Sequence, residues 1–314
     1  MSFPSLNRLK TAAASLPRSL RQIREGDEIL STLPPGANLE LARLLRTDPP
    51  PLILPQARVA VIFSAKSACT SVVIWFLKQL GHLEAARDYH RWPHQYRIEV
   101  YYRSQLYANA FRQDLTKLRV IRVVRDPYSR AISSFRHALI YGFADQDIAR
   151  ALGRRDIKEN GYSFSEFLDF LEQIDLTNCN VHFRIQRHPV EDKLRVRHLI
   201  NVSTEDLFTR LNQLEAHMSL PHTDFASIPW FALSNDHRVA RGSIDDLTNV
   251  DTRRFTAEAA RKGPWAPYEA FLTPAARERI ARLYAVDFES YIAPPGIRPR
   301  ALARPNAAAA RKAT

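Results

Sequence analysis

Val59–Gly81 reads VAVIFSAKSACTSVVIWFLKQLG. An apolar, β-branched run, Arg58–Phe63, leads into the small and polar residues Ser64–Thr70. These lead into a segment with Val72, Phe76 and Leu80 at i, i+4 and i+8. The first part has the pattern of a strand buried on both faces, and the last that of an amphipathic helix. Gly81 is placed to stop that helix. A strand–turn–helix unit turns the free N–H groups of a helix N-terminus toward an anion. An ordinary nucleoside-triphosphate loop needs G-x-x-x-x-G-K-[ST]. Ser64–Thr70 contains no glycine, and its lysine, Lys66, comes three residues before Cys69.

A second unit of the same kind lies downstream. Leu118–Val124 (LRVIRVV) is another buried strand, and RDPYSRAISSFRHALI follows it. Asp126 suits the N-cap and Pro127 the first helical turn, which predicts a helix to about Ile140. Between the units, Tyr96–Leu115 reads as a helix after an aromatic-rich loop. Residues 141–161 read as a charged surface excursion. YSFSEFLDFLEQI reads as a helix capped by Ser163 or Ser165. Leu194–Val202 reads as a third strand, followed by a helix capped by Ser203. Residues 221–270 read as irregular, and LTPAARERIARLYAVDFESY as one final helix. Alternating strands and helices predict an α/β fold: a three-layer, P-loop-like domain with a central parallel sheet flanked by helices. Its expected span is 58–293. A helical lead-in (1–57) ends in the stiff connector TDPPPLILP, and a basic Pro/Ala/Arg-rich tail (294–314) reads as disordered.

Composition narrows the partners. The 314 residues carry 45 Lys and Arg against 33 Asp and Glu, a net charge of +12. Such a balance suits a polyanionic ligand, nucleic acid or a membrane surface. Cys69 and Cys179 are the two cysteines. They make no disulfide framework and no zinc spacing, so no structural zinc is expected and a reducing, cytoplasmic setting fits. No apolar run is long enough to span a bilayer, though peripheral membrane contact stays open. The basic, serine-containing N-terminus resembles a transit peptide and equally a basic surface helix.

Both units begin beyond the carboxyl end of a strand, where ligands bind in open parallel sheets. In the first, Lys66 offers a point charge and Ser67, Thr70 and Ser71 offer hydroxyls. Amides from Ala65 through Ala68 and Cys69 to Ser71 could form a nest around a phosphate. In the second, Arg125 closes the strand, and Ser129 and Ser133 share a helix face at i, i+4. Arginine suits a bidentate phosphate contact. Two anion cradles on two strands suit a ligand with phosphates at separate places.

On these residues the chain resembles the sulfotransferases that use 3′-phosphoadenosine 5′-phosphosulfate (PAPS). FSAKSACTSVVIWFL is similar to that family's 5′-phosphosulfate loop, and VIRVVRDPYSRAISSFRH to its 3′-phosphate motif. The wording is closest to the carbohydrate-type members and their soluble bacterial relatives. The resemblance implies that Lys66 stabilises the leaving group, that Ser67, Thr70, Ser71 and the loop amides hold the 5′-phosphate, and that Arg125 and Ser133 hold the 3′-phosphate. RKGPW resembles a segment that closes over the 3′-phosphate, which would engage Arg261, Lys262 and Gly263. Ala65 and Ala68 stand where the family often has proline and glycine. Alanine keeps close backbone approach but disfavours φ > 0, so a local difference is expected there.

Sulfuryl transfer to a hydroxyl implies a general base between the two motifs, His or Glu. The candidates are His82, Glu84, His90, His94 and Glu99, with His90 or His94 favoured for their place in YHRWPHQY. His182 and Gln186 resemble an acceptor-side segment. The acceptor that the resemblance implies is a carbohydrate hydroxyl, PAP is the product, and no metal is expected. Two other readings stay open: a P-loop kinase acting on a small molecule, and a basic nucleic-acid-binding module, for which no recognition motif is present.

Overall fold

The computed structural model describes residues 49–110, 118–188, 191, 199–234 and 246–292. The lead-in up to 48, the end of the expected Tyr96–Leu115 helix, the start of the expected third strand and the C-terminal tail lie outside these residues. Strands β1 (Leu52–Leu54), β2 (Val59–Phe63), β3 (Arg119–Val124) and β4 (Leu199–Ser203) form one sheet in the order β1-β2-β3-β4. The β2–β3 and β3–β4 pairs are parallel, as the sequence predicts, with Val61 opposite Ile121 and Ile121 opposite Ile200. β1 is a correction to the expected connector: it pairs antiparallel with β2, and all three of its residues are buried. A parallel neighbour needs a long crossover, whereas the short link Pro55–Arg58 returns the chain antiparallel. The Tyr101 hydroxyl accepts from Ile53 N and donates to Ile53 O, both at 3.0 Å, and so closes the outer edge of β1. An uncovered edge would invite pairing with another chain.

The helices in chain order are α1 (Cys69–Gln79), α2 (Leu83–Tyr89), α3 (Pro93–Tyr96), α4 (Gln105–Ala110), α5 (Pro127–Tyr141), α6 (Asp145–Leu152), α7 (Ile157–Asn160), α8 (Phe164–Leu171), α9 (Leu207–Met218), α10 (Ala257–Lys262), α11 (Pro274–Leu283) and α12 (Ala285–Ile292). α1 is buried nearly all round, not amphipathic as its spacing suggests. Trp75 Nε1 and Gln79 Nε2 each donate to Glu215 of α9 at 2.7 Å, and Thr223 N and Oγ1 complete that buried carboxylate at 2.9 and 2.6 Å. A buried carboxylate this well supplied with donors ties α1 to α9, with His222 Nδ1 also 3.6 Å from it.

Four further expectations are corrected. The single helix Tyr96–Leu115 is broken: a π turn spans Arg97–Tyr101, and Ser104 Oγ then accepts from Tyr107 N at 3.1 Å to start α4. The loop before it contains α2. Ser203 ends β4 instead of capping α9, its Oγ accepting from Glu205 N at 3.2 Å. The single final helix LTPAARERIARLYAVDFESY is two, α11 and α12, with Tyr284 between them. The capping expectations for α5 and α8 agree with the structure. Asp126 Oδ2 accepts from Ser129 N at 2.8 Å, and Ser163 forms a capping box with Glu166.

One hydrophobic cluster joins the sheet to α1, α9 and the tyrosines of 96–107. A second joins α5, α6, α8 and α11 to the segment 250–271. Phe135 on α5 is its hub, with Tyr162, Phe164, Phe167, Phe255, Trp265 and Phe271 around it at 5.4 to 6.3 Å between ring centroids. This packing fixes the helix that carries Ser129, Ser133 and Arg136.

Candidate active site

The turn from β2 into α1 passes through the left-handed region twice, at Lys66 (φ 68°) and Ala68 (φ 53°). Neither is glycine, so each costs about 1–2 kcal/mol of backbone strain. Strain of this kind persists only where surroundings over-determine the conformation. Here three consecutive loop residues are each held by a side chain from elsewhere. Arg130 Nε donates to Ala65 O at 3.1 Å, and Arg125 Nη1 to Lys66 O at 3.0 Å. Ser67 Oγ donates to Gln186 Oε1 at 2.8 Å. Gln186 also pairs with both backbone groups of Arg125: its Oε1 accepts from Arg125 N and its Nε2 donates to Arg125 O, each at 2.8 Å. The carboxamide thus bolts the first loop to the carboxyl end of β3.

Arg130 is almost fully buried. Besides Ala65 O it donates to Arg184 O at 2.6 Å and faces Asp287 of α12 at 3.8 Å. Asp287 Oδ1 in turn accepts from Gln186 N at 2.6 Å. Burial pushes the Asp287 carboxyl up, against the pull of Arg130.

Lys66 is partly buried and surrounded by like charge. Burial lowers its pKa from the usual 10.5 to about 8; Cys69 opposes this, and Arg125, Arg136 and Arg130 add to it. Four cations gather here, and Asp287 faces only Arg130 among them, so the cluster keeps an excess of positive charge that favours an anion. α1 starts at Ala68 with no side-chain cap, which leaves first-turn N–H groups available beside Thr70 and Ser71.

On α5, Ser129, Ser133 and Arg136 stand at i, i+4 and i+7, on one face. Arg125 Nε donates to Ser129 Oγ at 3.1 Å, and Ser133 is buried one turn further on. The Arg125 guanidinium lies over Tyr268 at 5.7 Å, and that of Arg136 over Trp265 at 5.1 Å.

The structure brings Ala65, Lys66, Ser67, Ala68, Cys69, Thr70, Ser71, Arg125 and Ser133 to the carboxyl ends of β2 and β3. It does not bring Arg261 and Lys262 there. Arg261 donates through Nε and Nη2 to Ile140 O at the end of α5, and Lys262 pairs with Glu258 at 3.3 Å. Gly263 closes α10, where a Cβ would meet Ala259 O at 2.8 Å. From the same segment, Trp265 and Tyr268 are the residues that reach the arginines.

The two favoured histidines separate clearly. His90 is exposed, and its Nδ1 accepts from Trp92 N at 2.9 Å. His94 is partly buried with Nε2 3.4 Å from Thr70 Oγ1. Burial, with the charges of Arg97 and His182, holds its pKa well below the usual imidazole value, so it is neutral at pH 7. Of the other candidates, His82 pairs with Tyr96, Glu84 with Arg87, and Glu99 with Tyr89 and Gln95.

Sequence reasoning missed Arg130, Arg136, Tyr268 and Asp287, and set Gln186 beside the acceptor. The i, i+4, i+7 register from Ser129 pointed to Arg136. Nothing local marked Arg130 or Asp287, whose partners lie 65 and 101 residues away.

A family model described as the sulfotransferase family matches residues 64–292. No curated protein and no solved structure matches the chain significantly.

Proposed function

The chain belongs to the sulfotransferase family, and from that premise we propose that it transfers a sulfuryl group from PAPS to the hydroxyl of a carbohydrate-type acceptor, releasing PAP. The observation that carries the donor reading is the convergence of Lys66, Arg125, Arg130 and Arg136 on a loop held open at an uncapped helix start. The donor set fits a nucleotide with phosphates at two places. Lys66, Thr70, Ser71 and the loop amides would hold the 5′-phosphosulfate. Arg125, Ser133 and Arg136 would hold the 3′-phosphate, with Tyr268 and Trp265 packed behind the guanidinium planes.

PAPS supplies the sulfuryl group. The acceptor oxygen forms a new S–O bond as the S–O bond to the 5′-phosphate breaks. His94 Nε2 takes the hydroxyl proton, for which a neutral imidazole is required. Lys66 Nζ sets a positive charge beside the leaving oxygen, where negative charge grows in the transition state. The fixed loop contributes positioning: its carbonyls are pinned before the donor arrives, so little reorganisation is left to the reaction.

Calorimetry with PAP and no added metal tests this reading, together with transfer from labelled PAPS to a panel of sugars. PAP should bind without metal, and Arg125→Ala should remove its preference over 5′-AMP. Binding of ATP only with Mg²⁺, and none of PAP, would replace the reading by a kinase.

A further inference from the structure

Thr70 stands on the first turn of α1, and its hydroxyl meets one side chain among the described residues: Nε2 of His94, at 3.4 Å. A threonine within a helix often bonds a carbonyl three or four residues back. The carbonyl four back, Lys66 O, accepts instead from Arg125 Nη1 at 3.0 Å. The Thr70 hydroxyl is turned out of its own helix, toward α3.

His94 is held where that hydroxyl can reach it. Trp230 Nε1 donates to Arg91 O at 2.8 Å, which anchors the chain just before α3. The Tyr96 hydroxyl pairs with His82 Nδ1 at 3.1 Å, which ties α3 to the end of α1. The Trp92 ring lies 5.4 Å from the imidazole. The charged groups felt at His94 are Arg97 and His182, and no carboxylate is among them. Among the described residues, Thr70 Oγ1 is therefore the one side-chain oxygen placed to answer a proton on Nε2.

A hydroxyl has one proton to give and lone pairs to receive with. A base must present a bare nitrogen, and with Nε2 bare it is Thr70 Oγ1–H that donates. In the empty site this bond covers the lone pair that the reaction needs. At 3.4 Å it is long, and it yields to a better acceptor. The same hydroxyl stands at the uncapped start of α1, beside the expected 5′-phosphosulfate. A charged phosphate oxygen makes a hydrogen bond roughly twice as strong as a neutral acceptor does.

We propose that Thr70 is a positioning residue that couples the donor site to the base: its O–H covers His94 Nε2 in the empty site and turns to the 5′-phosphate when the nucleotide binds. The proposal rests on the sulfotransferase reading and adds to it a link between its two halves. The Nε2 lone pair is uncovered only when the donor is in place. The acceptor O–H bond then breaks as the Nε2–H bond forms, and the Thr70 proton stays on its own oxygen. Thr70 Oγ1, with its proton on the phosphate, is now an acceptor for Nε2–H. The chain from Nε2–H through Oγ1–H to the phosphate oxygen ties the new positive charge to the negative one.

The experiment is an NMR titration of the full chain with ¹⁵N-labelled histidine rings, the His94 signal being assigned by its loss in His94→Ala. The probes are PAP and adenosine 3′-phosphate, which lacks the 5′ group. In the free protein at neutral pH, Nε2 of His94 should be bare. Saturating PAP should raise the His94 pKa by about one unit, and adenosine 3′-phosphate should leave it nearly unchanged. Thr70→Val and Thr70→Ala both remove the hydroxyl, one keeping the side-chain shape and the other not. Each, saturated with PAP, should keep less than half of the rise, and Thr70→Ser should restore it. A proton on Nε2 in the free neutral protein, no rise with PAP, or a full rise in both hydroxyl-free variants would overturn the proposal. Failure of PAP to bind wild type would overturn the donor reading instead.

Discussion

Arg125 Nη1 donates to the backbone carbonyl of Lys66 at 3.0 Å, across 59 residues of chain. The arginine expected to grip one phosphate therefore also pins the loop expected to grip the other. With Arg130 on Ala65 O and Gln186 on Ser67 Oγ, it replaces what glycine does in looser loops: it keeps Lys66 and Ala68 at positive φ.

Ala68 at φ 53° carries no compensating side-chain bond of its own. Ala68→Gly should relieve its strain and raise stability by about 1 kcal/mol, read as a rise of about 2–4 °C in melting temperature. Ala68→Val, β-branched in the same conformation, should lower it. A drop with glycine would show that the left-handed turn is not strained.

Gln186→Ala removes three hydrogen bonds at once and leaves Ser67 Oγ and both backbone groups of Arg125 without their partner. PAP affinity should fall about tenfold to a hundredfold, with a smaller loss of stability. Calorimetry on the variant checks this. Unchanged affinity would mean that the loop keeps its shape without the bolt.

Lys66 titrates near 8 in the unliganded protein, below its usual 10.5. Folding thus disfavours its charged form. The penalty is fully present below pH 8 and fades as pH rises toward 10.5, so Lys66 makes the free protein gain stability across that window. An anion in the cradle reverses the effect and raises the pKa. PAP binding at about pH 8.5 should take up most of one proton, and at about pH 6.5 almost none. Titrations in two buffers of different ionisation enthalpy measure this uptake, which Lys66→Met should abolish.

His94 has its pKa lowered by burial and by Arg97 and His182. The acid limb of kcat/KM should therefore lie below the ordinary imidazole range, with activity lost only as pH falls through it. His94→Ala should cost about 10²–10⁴ in kcat and remove that limb. His90→Ala, an exposed residue at the end of α2, should leave the profile as it is. The reverse pattern would assign the base to His90.

Much of this was legible in the residues themselves. β2 and β3 announce themselves as β-branched runs, Asp126 and Pro127 announce the start of α5, and Ser163 with Glu166 announces α8. These are local signals, carried by neighbours within a turn or two. The same holds for Lys66, Thr70, Ser71, Arg125 and Ser133, whose spacing already implies two cradles at two strand ends.

Contacts between distant segments decided the rest. Nothing near Arg130 says that its guanidinium will hold Ala65 O, and nothing near Gln186 says that it will clasp Arg125. The motif sets Arg261 near the 3′-phosphate, whereas the packing of α10 sets its guanidinium on Ile140 O. His90 and His94 are equivalent in sequence terms; only the approach of α3 to Thr70 separates them. The sequence by itself determined which chemistry is present, because strand pattern, caps and charge act over a few residues. The tertiary structure decided which groups share a site and why alanine can stand where glycine was expected, because buried hydrogen bonds between remote segments supply the constraint that the local backbone lacks.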